Sequence, residues 1–430
     1  MKTKSIIILN DFCYAQGGAS RVAIDEAIAL QAAGSDVYFL GAVGPICPEL
    51  RESGVSVTCL DQPELASAGR HPAAAVLPIW NQRAFRATQR LLALPLHSRQ
   101  TIVHLHGYSK ALSVSPILAA RRAGFATVCT LHDFYGACPN GAFYDYRLQA
   151  PCQLRALSVS CVTRACDKRR ASHKLYRVLR GVVQRYAARF PAGVSNFIVL
   201  SRRSAALLQP YLPPASRLFP MSNIIDVPRA PPVDPASNQS IAVVGRLDEE
   251  KGAMLAAEAA ARLGLSIVFV GDGPLRDKIE ATGARVTGWV PATGVHHELN
   301  HARCLVFPSR WYETFGLVVT EAAARGVPSI VSDVSAPADR VTAGRTGWVF
   351  RAGDVSDLVA KMRLTQSDEL VRSAGLAAYQ AYWAEPANPE LHAKQLLSIY
   401  DAVLSDNAVA EQAYAAKLAS ASASPVSFSP

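Results

Sequence analysis

Two cations in the second half of the chain lie where they could hold a phosphorylated ligand. Arg246 follows the apolar, strand-like run 241–244, and Lys251 opens the helix-like segment after it. Open α/β sheets bind their ligands at the carboxyl ends of the strands. A guanidinium fork and an ammonium group both bind phosphate oxygens well. The pair therefore indicates a diphosphate clamp. The alternative is two surface cations that pair with the acidic residues between them.

A second cluster of chemically capable residues follows the run 304–307. Glu313 lies in the loop after that run, and Glu321 lies two turns into the next helical pattern. Carboxylates accept hydrogen bonds from vicinal hydroxyls such as those of ribose and a hexose. Between them, the N–H groups of Gly316, Leu317 and Val318 begin a helix, which favours an anion. The alternative is a solvated loop carboxylate and an ion-paired helix carboxylate.

A weaker signal follows the run 267–270. There the chain reads Gly271-Asp272-Gly273-Pro274. The glycines let a backbone approach a ligand closely, and proline suits the first helical turn.

The elements that must position these residues form two successive α/β arrays. Short β-rich runs alternate with helical patterns in each half, which is typical of parallel sheets with crossover helices. The sequence predicts two doubly wound Rossmann-like domains that face a central cleft. We place the domains at 1–228 and 239–385, a proline-rich linker at 229–238, a C-terminal helix that packs back on the first domain at 386–404, and a flexible tail at 405–430.

Composition excludes several classes of protein. The 430 residues are 50% hydrophobic and 18% charged, as in a folded globular chain. No apolar run reaches the ~18–20 residues of a membrane-spanning helix, and the run 6–9 is too short for a signal peptide. We therefore expect a cytoplasmic protein, in which the nine cysteines are reduced.

Charge is distributed unevenly along the chain. Residues 1–230 hold 27 Lys and Arg against 12 Asp and Glu, whereas residues 231–430 hold 17 against 22. This asymmetry indicates that the first half meets an anionic partner: a nucleic acid, a membrane surface or a phosphorylated substrate.

Several short segments of the sequence, taken in their order along the chain, resemble glycosyltransferase family 4 of the GT-B fold, also described as glycosyl transferases group 1. The resemblance is carried by GRLDEEKG, VGDGPLRDKI and PSRWYETFGLVVTEAAARGVPSIVSD in the second half, and by QGGAS, VHLHG, TLHDF and SNIID in the first. Where the family usually shows a glycine pair and a glutamate, this chain has Ser335-Ala336 and Asp339.

The resemblance implies a retaining transferase that uses a nucleotide-diphosphate sugar and no metal. Arg246 and Lys251 would hold the diphosphate, Glu313 the donor sugar, Glu321 the ribose, and His132 the sugar or the acceptor hydroxyl. The donor would also contact Gly17, Gly18, Gly245, Gly271, Asp272, Gly273, Phe315, Gly316, Leu317 and Val318. The physics agrees with these roles, because transfer builds negative charge on the leaving diphosphate. His104 and His106 end a neighbouring strand, and we expect them to be structural.

An insert at 138–190 carries four cysteines: Cys138, Cys152, Cys161 and Cys166. Four thiols within 29 residues could form a tetrahedral zinc site, although paired Cys-x2-Cys knuckles are missing. Semi-buried thiols and an oxidised pair are the alternatives.

The same insert carries nine Lys and Arg between 164 and 189 against one acid. Apolar residues recur there at helical spacing, as in helices that lie on an anionic bilayer. We expect a membrane surface or an anionic acceptor to contact Lys168, Arg169, Arg170, Lys174, Arg177 and Arg180. A solvated helix face is the alternative.

The sequence is compatible with three functions, which it favours unequally. A glycosyltransferase acting on a saccharide or lipid-linked acceptor in polysaccharide or glycan synthesis, cytoplasmic and peripheral to the membrane, fits best. A nucleic-acid-binding protein is disfavoured because no such module signature occurs. Another GT-B enzyme, an epimerase or a phosphorylase, is expected to carry different residues.

Overall fold

The structure is a computed structural model that describes residues 4–422 except 68, 70 and 97–99. For residue 73 and residues 407–422 it describes the backbone only. The strands are β1 (Ser5–Phe12), β2 (Asp36–Val43), β3 (Ser56–Cys59), β4 (Thr101–Leu105), β5 (Ala126–Thr130), β6 (Tyr144–Asp145), β7 (Ala150–Pro151), β8 (Asn196–Val199), β9 (Arg217–Pro220), β10 (Ser240–Val244), β11 (Ile267–Val270), β12 (Arg285–Val286), β13 (Ala302–Phe307), β14 (Ser329–Ser332) and β15 (Gly347–Phe350).

Helices fill most of the connections between these strands. They are α1 (Gly18–Ala32), α2 (Pro48–Glu52), α3 (Gln82–Leu92), α4 (Ser115–Arg122), α5 (Val159–Thr163), α6 (Ala171–Tyr186), α7 (Arg202–Leu208), α8 (Ala253–Leu263), α9 (Arg276–Glu280), α10 (Ala292–Asn300), α11 (Leu317–Arg325), α12 (Val355–Leu364), α13 (Asp368–Ala384) and α14 (Pro389–Ser422).

Two parallel sheets confirm the predicted architecture. The first has the order β3-β2-β1-β4-β5-β8-β9 and the second β12-β11-β10-β13-β14-β15. The apolar runs 6–9 and 241–243 are buried because helices cover both faces of each sheet. In each sheet the strand order reverses beside the first strand, between β1 and β4 and between β10 and β13. Such switch points open the crevices in which doubly wound sheets bind ligands.

The insert between β5 and β8 forms a small subdomain on the first sheet. It contains the antiparallel pair β6–β7 and the helices α5 and α6. Helix α6 is anchored by Arg180, which donates hydrogen bonds to the carbonyl oxygens of Ser109 and Pro139.

The chain crosses between the domains twice. The residues predicted as the linker 229–238 lie against the second domain, where Val233 N–H donates to the Arg325 carbonyl. After α13 the chain returns to the first domain, and Ile225 N–H donates to the Ala387 carbonyl where the two crossings meet.

Helix α14 packs on the first domain, with Asp401 paired to Lys4 and Tyr400 bonded to His104. It continues to Ser422, past residue 404 where the sequence analysis ends it, since the Ala, Gln, Lys and Leu of this stretch are good helix formers. The remainder of the predicted tail, residues 423–430, lies outside the described residues.

Candidate active site

Lys251 and Glu313 form an ion pair at the switch point of the second sheet. Lys251 Nζ lies 2.6 Å from Glu313 Oε1, which also accepts hydrogen bonds from Trp311 Nε1 at 2.6 Å and Ser309 Oγ at 2.8 Å. Burial raises the pKa of Glu313, but Lys251 and these hydrogen bonds outweigh it and hold the pKa below its ordinary value. The ammonium also lies 5.0 Å from the Trp311 ring centroid. Glu313 is therefore a fixed, ionised carboxylate.

Glycines bring the two loops of this ion pair together. Gly252, between Lys251 and α8, has φ +72°, and a Cβ there would lie 2.1 Å from the Pro308 carbonyl oxygen. The turn after β10 and the loop after β13 thus pack backbone against backbone, which only glycine permits. Arg310 N–H completes the junction by donating to the Glu250 carbonyl.

Arg246 lies in the same turn but points toward solvent. Its side chain is 63% exposed, and Nη1 lies 2.7 Å from Asp248 Oδ2. On its other oxygen Asp248 accepts a hydrogen bond from Lys168 Nζ at 2.8 Å, and Lys168 also reaches Glu250 Oε1 at 2.9 Å. Lys168 belongs to the insert of the first domain. An interdomain cluster of two cations and two carboxylates therefore borders the cleft.

The segment 270–274 packs against this turn. Gly271 has φ +146°, and a Cβ there would lie 2.1 Å from the Gly245 carbonyl oxygen, whereas a Cβ at Gly273 would lie 2.6 Å from the Leu247 carbonyl oxygen. Both glycines therefore allow neighbouring backbones to pack, and their contact with a donor stays a prediction. Asp272 lies in the same turn and pairs with Arg276.

The start of α11 faces the first domain. Gly316 caps the helix in a left-handed conformation, with φ +80°. A Cβ at Gly18 would lie 3.1 Å from Leu317 Cδ1, so the turn at Gly17 and Gly18 lies directly across from this helix. The first N–H groups of an α-helix have no carbonyl oxygen one turn earlier to bond, and in α11 Val319 N–H donates instead to the Gly316 carbonyl.

The second predicted carboxylate, Glu321, lies one turn further along α11. Burial raises its pKa, and the guanidinium groups of Arg325 and Arg21 oppose that rise. Arg21 belongs to α1 of the first domain, so Glu321 also borders the interdomain space.

His132 ends β5 on the opposite wall. Its carbonyl accepts a hydrogen bond from Thr314 Oγ1 at 2.9 Å, which places it beside the Glu313 loop. Burial lowers the pKa of His132 to about 3, so the imidazole is neutral near pH 7. Its Nε2 lies 3.0 Å from His106 Nδ1.

The structure thus brings together Arg246, Lys251, Glu313, the start of α11, the Gly17 turn and His132. Two residues at positions where the sequence departs from the family pattern have the following surroundings. Ser335 is buried, and Asp339 pairs with Arg203 of the first domain.

Helix α6 reverses the orientation that we expected for its cations. Lys174 and Arg180 are buried, Arg177 pairs with buried Asp167, and Lys168 faces the second domain, while Arg169 and Arg170 are exposed. The exposed side chains of α6 are instead largely apolar: Leu175, Leu179, Val182 and Tyr186. Carbonyl oxygens, a carboxylate and the Tyr135 ring compensate the buried charges, which is why the cations point inward.

Two of the four thiols of the insert lie against an ammonium group. Lys174 Nζ lies 3.2 Å from Cys166 Sγ and 3.7 Å from Cys161 Sγ. All four cysteines, Cys138, Cys152, Cys161 and Cys166, are free thiols. Because a cation of the protein already lies against the two sulfurs, the arrangement does not fit the predicted zinc ion.

Two contributors to the site were not predicted from the sequence, and a third was placed elsewhere. Ser309 and Trp311 flank Glu313 in the string PSRWYE and could have been noticed as its donors. Lys168 was expected at a membrane or acceptor surface, and its pairing with Asp248 had no signal because 80 residues separate the two.

Comparisons with known proteins identify the family of the chain. Residues 16–229 match the family model described as Glycosyltransferase Family 4, and residues 238–368 match that of Glycosyl transferases group 1. The 2-deoxystreptamine N-acetyl-D-glucosaminyltransferase of Niallia circulans is 32% identical over 152 residues, which is 32% of this chain and 39% of that protein. In three curated relatives the matched region spans about a quarter to two fifths of the relative's own length.

Solved structures are similar over nearly the whole chain. Sucrose-phosphate synthase from Thermosynechococcus elongatus aligns with a TM-score of 0.67 at 17% identity, covering 94% of this chain and all of that one. HepE from Anabaena in complex with UDP and glucose aligns at 0.63 and 14% identity, covering 93% and 100%. With both sheets and both family matches in place, the chain belongs to the glycosyltransferases of the GT-B fold.

Proposed function

We propose that the chain transfers a sugar from a nucleotide-diphosphate donor to a saccharide or lipid-linked acceptor with retention of the anomeric configuration. The observation that carries the proposal is the Lys251–Glu313 pair, fixed beside Arg246 at the switch point of the second sheet. It combines phosphate-binding cations with a hydroxyl-binding carboxylate at the place where such sheets bind ligands.

The proposed chemistry relies on fixed charge. As the sugar–phosphate bond breaks, negative charge grows on the leaving diphosphate, and preorganised donors stabilise it most effectively. Lys251, Arg246 and the N–H groups that begin α11 supply those donors, in the place of a metal ion. Glu313 binds sugar hydroxyls, Glu321 binds the ribose and neutral His132 positions the acceptor hydroxyl. The leaving phosphate oxygen takes the acceptor proton.

The comparisons support the donor class. The HepE structures contain UDP, with glucose or as UDP-glucose, in a fold that this chain shares. For this chain we infer a nucleotide sugar of the same general class. Zinc at the four cysteines is not part of the proposal, because Lys174 lies against their sulfurs.

The direct test is a screen of nucleotide sugars for slow hydrolysis without acceptor, together with thermal shifts by UDP and GDP. One nucleotide should raise the melting temperature, because ligand binding to the folded state stabilises it. Turnover should not depend on added Mg²⁺. A shift with oligonucleotide and none with either nucleotide would select the nucleic-acid alternative.

Glu313→Gln refines the assignment of the sugar site. Loss of the charge should weaken donor-sugar recognition, with a higher KM for the donor, and leave the affinity for free nucleotide largely intact. An equal loss for the free nucleotide would move Glu313 to the nucleotide.

We further propose that the exposed face of α6 contacts an anionic bilayer as a peripheral surface. Leu175 and Leu179 are 69% and 52% exposed; exposed Arg169 and Arg170 precede the helix, and exposed Arg185 lies in its last turn. A helix with exposed apolar side chains and cations is typical of those that lie in the membrane interface. Among the residues that the structure describes, no helix is long and apolar enough to cross a bilayer. Cosedimentation with vesicles of phosphatidylglycerol should be lost in Leu175→Ser/Leu179→Ser and kept in the control Leu370→Ser on α13. Equal binding by both variants would rule out the helix as the contact.

A further inference from the structure

Three buried side chains of the first domain point their donor atoms at one another. Glu26 comes from α1, and His104 and His106 come from β4 and its end. Their exposures are 3%, 0% and 2%. His106 Nε2 lies 3.2 Å from His104 Nδ1 and 3.4 Å from Glu26 Oε2, and His104 Nδ1 lies 3.9 Å from Glu26 Oε2. The three atoms form a triangle.

The size of this triangle suits one transition-metal ion. A point equidistant from three atoms at these separations lies about 2 Å from each, which is close to the ~2.0–2.2 Å of zinc bonds to imidazole nitrogen and carboxylate oxygen. Among the described residues, Glu26, His104 and His106 are the group of three or more His, Cys, Asp or Glu side chains whose ligand atoms all lie within 4.8 Å of one another.

The far atom of each side chain already has a partner. His104 Nε2 lies 2.7 Å from Thr130 Oγ1, His106 Nδ1 lies 3.0 Å from His132 Nε2, and Glu26 Oε1 lies 3.0 Å from His392 Nε2. Metal-binding histidines almost always donate their other N–H in this way, which fixes the tautomer and aims the free nitrogen at the ion. All three side chains are thus held at their outer atoms; of the inner atoms, His104 Nδ1 also has the Tyr400 hydroxyl at 2.7 Å, which an ion would have to displace.

One inner atom lacks any compensation. Glu26 Oε2 is buried and has no hydrogen-bond partner in the described structure. Leaving such an acceptor unsatisfied costs roughly 1–3 kcal/mol, more when it is charged. Tyr400 Oη does not reach it as a hydrogen-bond donor and instead lies 2.7 Å from His104 Nδ1. A cation inside the triangle would satisfy this oxygen.

We propose that Glu26 Oε2, His104 Nδ1 and His106 Nε2 bind one divalent transition-metal ion of the zinc class. Two imidazoles and one carboxylate are a donor set that Zn²⁺ accepts and that Mg²⁺ and Ca²⁺, which prefer oxygen, do not. The site is structural: its ligands are buried in the first domain, and the diphosphate clamp lies on the second. Through His392 it connects α1 and β4 to α14, and through His132 it steadies one wall of the cleft.

The experiment measures metal in the full-length chain. The protein is purified without an affinity tag, incubated with Zn²⁺ or Co²⁺ alone, freed of excess ion and assayed by mass spectrometry of the metal. About one ion per chain is expected, with a Co²⁺ ligand-field absorption in the visible and a higher melting temperature than the chelated chain.

Variants assign the ion to the triad. Glu26→Gln and His104→Gln keep side-chain size and should lower the metal content at least tenfold. Tyr400→Phe removes a buried hydroxyl beside the triad and none of the three donors, and it should retain the ion. His297→Ala/His301→Ala removes two adjacent exposed histidines, one in α10 and one directly after it, and controls for surface binding.

Several results would overturn the proposal. Less than a tenth of an equivalent in the wild-type chain after incubation with either metal would mean that the triad is a metal-free hydrogen-bond network, whether or not the variants fold. Loss of the ion in the His297/His301 control, or in Cys161→Ser with the triad variants still loaded, would assign it elsewhere. Equal loss in Tyr400→Phe would contradict the three-ligand assignment.

Discussion

Glu313 shows how a single residue in this cleft obtains its ionisation state from its neighbours. Its Oε1 accepts hydrogen bonds from an ammonium, an indole and a hydroxyl. The same contacts fix Lys251 in position, so the cation is preorganised before any ligand arrives. Preorganisation is what makes such charges effective in transition-state stabilisation.

Lys251→Ala is therefore expected to lower kcat by about 10²–10³, the usual effect of removing one such donor. Donor turnover with a fixed acceptor measures it, and circular dichroism checks the fold. Lys361→Ala, on α12 and paired with Asp357, is the matched control. Wild-type turnover in Lys251→Ala would contradict the diphosphate role.

Asp133, beside His132, gives the chain a specific pH dependence. Burial raises its pKa from 3.8 to about 6, against the opposing hydrogen bond from Tyr135 N–H. Between these values the folded chain keeps a proton that the unfolded chain loses. The contribution to stability is therefore full below pH 3.8 and is lost as the pH rises through 6.

Asp133→Asn removes this titration and keeps the oxygen that accepts from Tyr135. Its stability relative to the wild type should increase by on the order of 2 kcal/mol between about pH 4.5 and pH 7.5. Urea unfolding at the two pH values measures this. A difference between variant and wild type that does not change with pH would show that Asp133 titrates normally.

At the scale of elements, the packing of the β10 and β13 loops depends on Gly252. A Cβ there would collide with the Pro308 carbonyl, whereas a Cβ at Gly264, at the other end of α8 and also left-handed, meets nothing within 4 Å. The two glycines thus share a conformation and differ in their surroundings.

Gly264→Ala should cost only conformational strain, about 1 kcal/mol. Gly252→Ala should cost that amount plus roughly 1–3 kcal/mol of steric repacking, and it should displace Lys251 so that donor turnover falls as well. Urea unfolding of the two variants makes the comparison. Equal losses of stability would contradict the close packing of the two loops.

Helix α6 shows why the sequence predicts some elements well and their orientation badly. Its helical period is plain from the spacing of its apolar residues, and the helix is present. Which side faces inward depended on partners elsewhere: Ser109, Pro139 and Asp167 receive the buried cations. A periodic pattern carries no information about acceptors that lie distant in sequence.

At the scale of the whole molecule, both sheets could be predicted because buried parallel strands are continuous apolar runs. That Lys251 and Glu313 lie together could be predicted as well, since strand ends in such sheets meet at one edge; their role toward a diphosphate sugar stays a prediction. The triad could not: Glu26, His104 and His392 come from three elements whose meeting depends on how α14 crosses the first domain. Lys168 depends in the same way on how the insert faces the second domain.

Truncation after residue 388 is expected to unfold or aggregate the first domain, because it removes Leu396, Tyr400 and Val403 from that domain's core. Truncation after residue 406 keeps every side chain of α14 that the structure describes and should leave the melting temperature within a few degrees of the full chain. Expression yield and thermal unfolding compare them. A soluble, cooperatively folded product of the shorter chain would show that α14 is dispensable.

The hydrogen bond from Ile225 N–H to the Ala387 carbonyl joins the two segments in which the chain crosses between the domains. Because the two connections lie side by side, we expect the domains to rotate about them and to resist twisting against each other. Opening should therefore follow a single angular coordinate, which separates Lys168 from Asp248 and Thr314 from His132 on the far side. Those contacts are polar and replaceable by water, whereas Leu317, which lies across from Gly18, and Phe315, which belongs to an apolar cluster of the first domain, would expose apolar surface on opening.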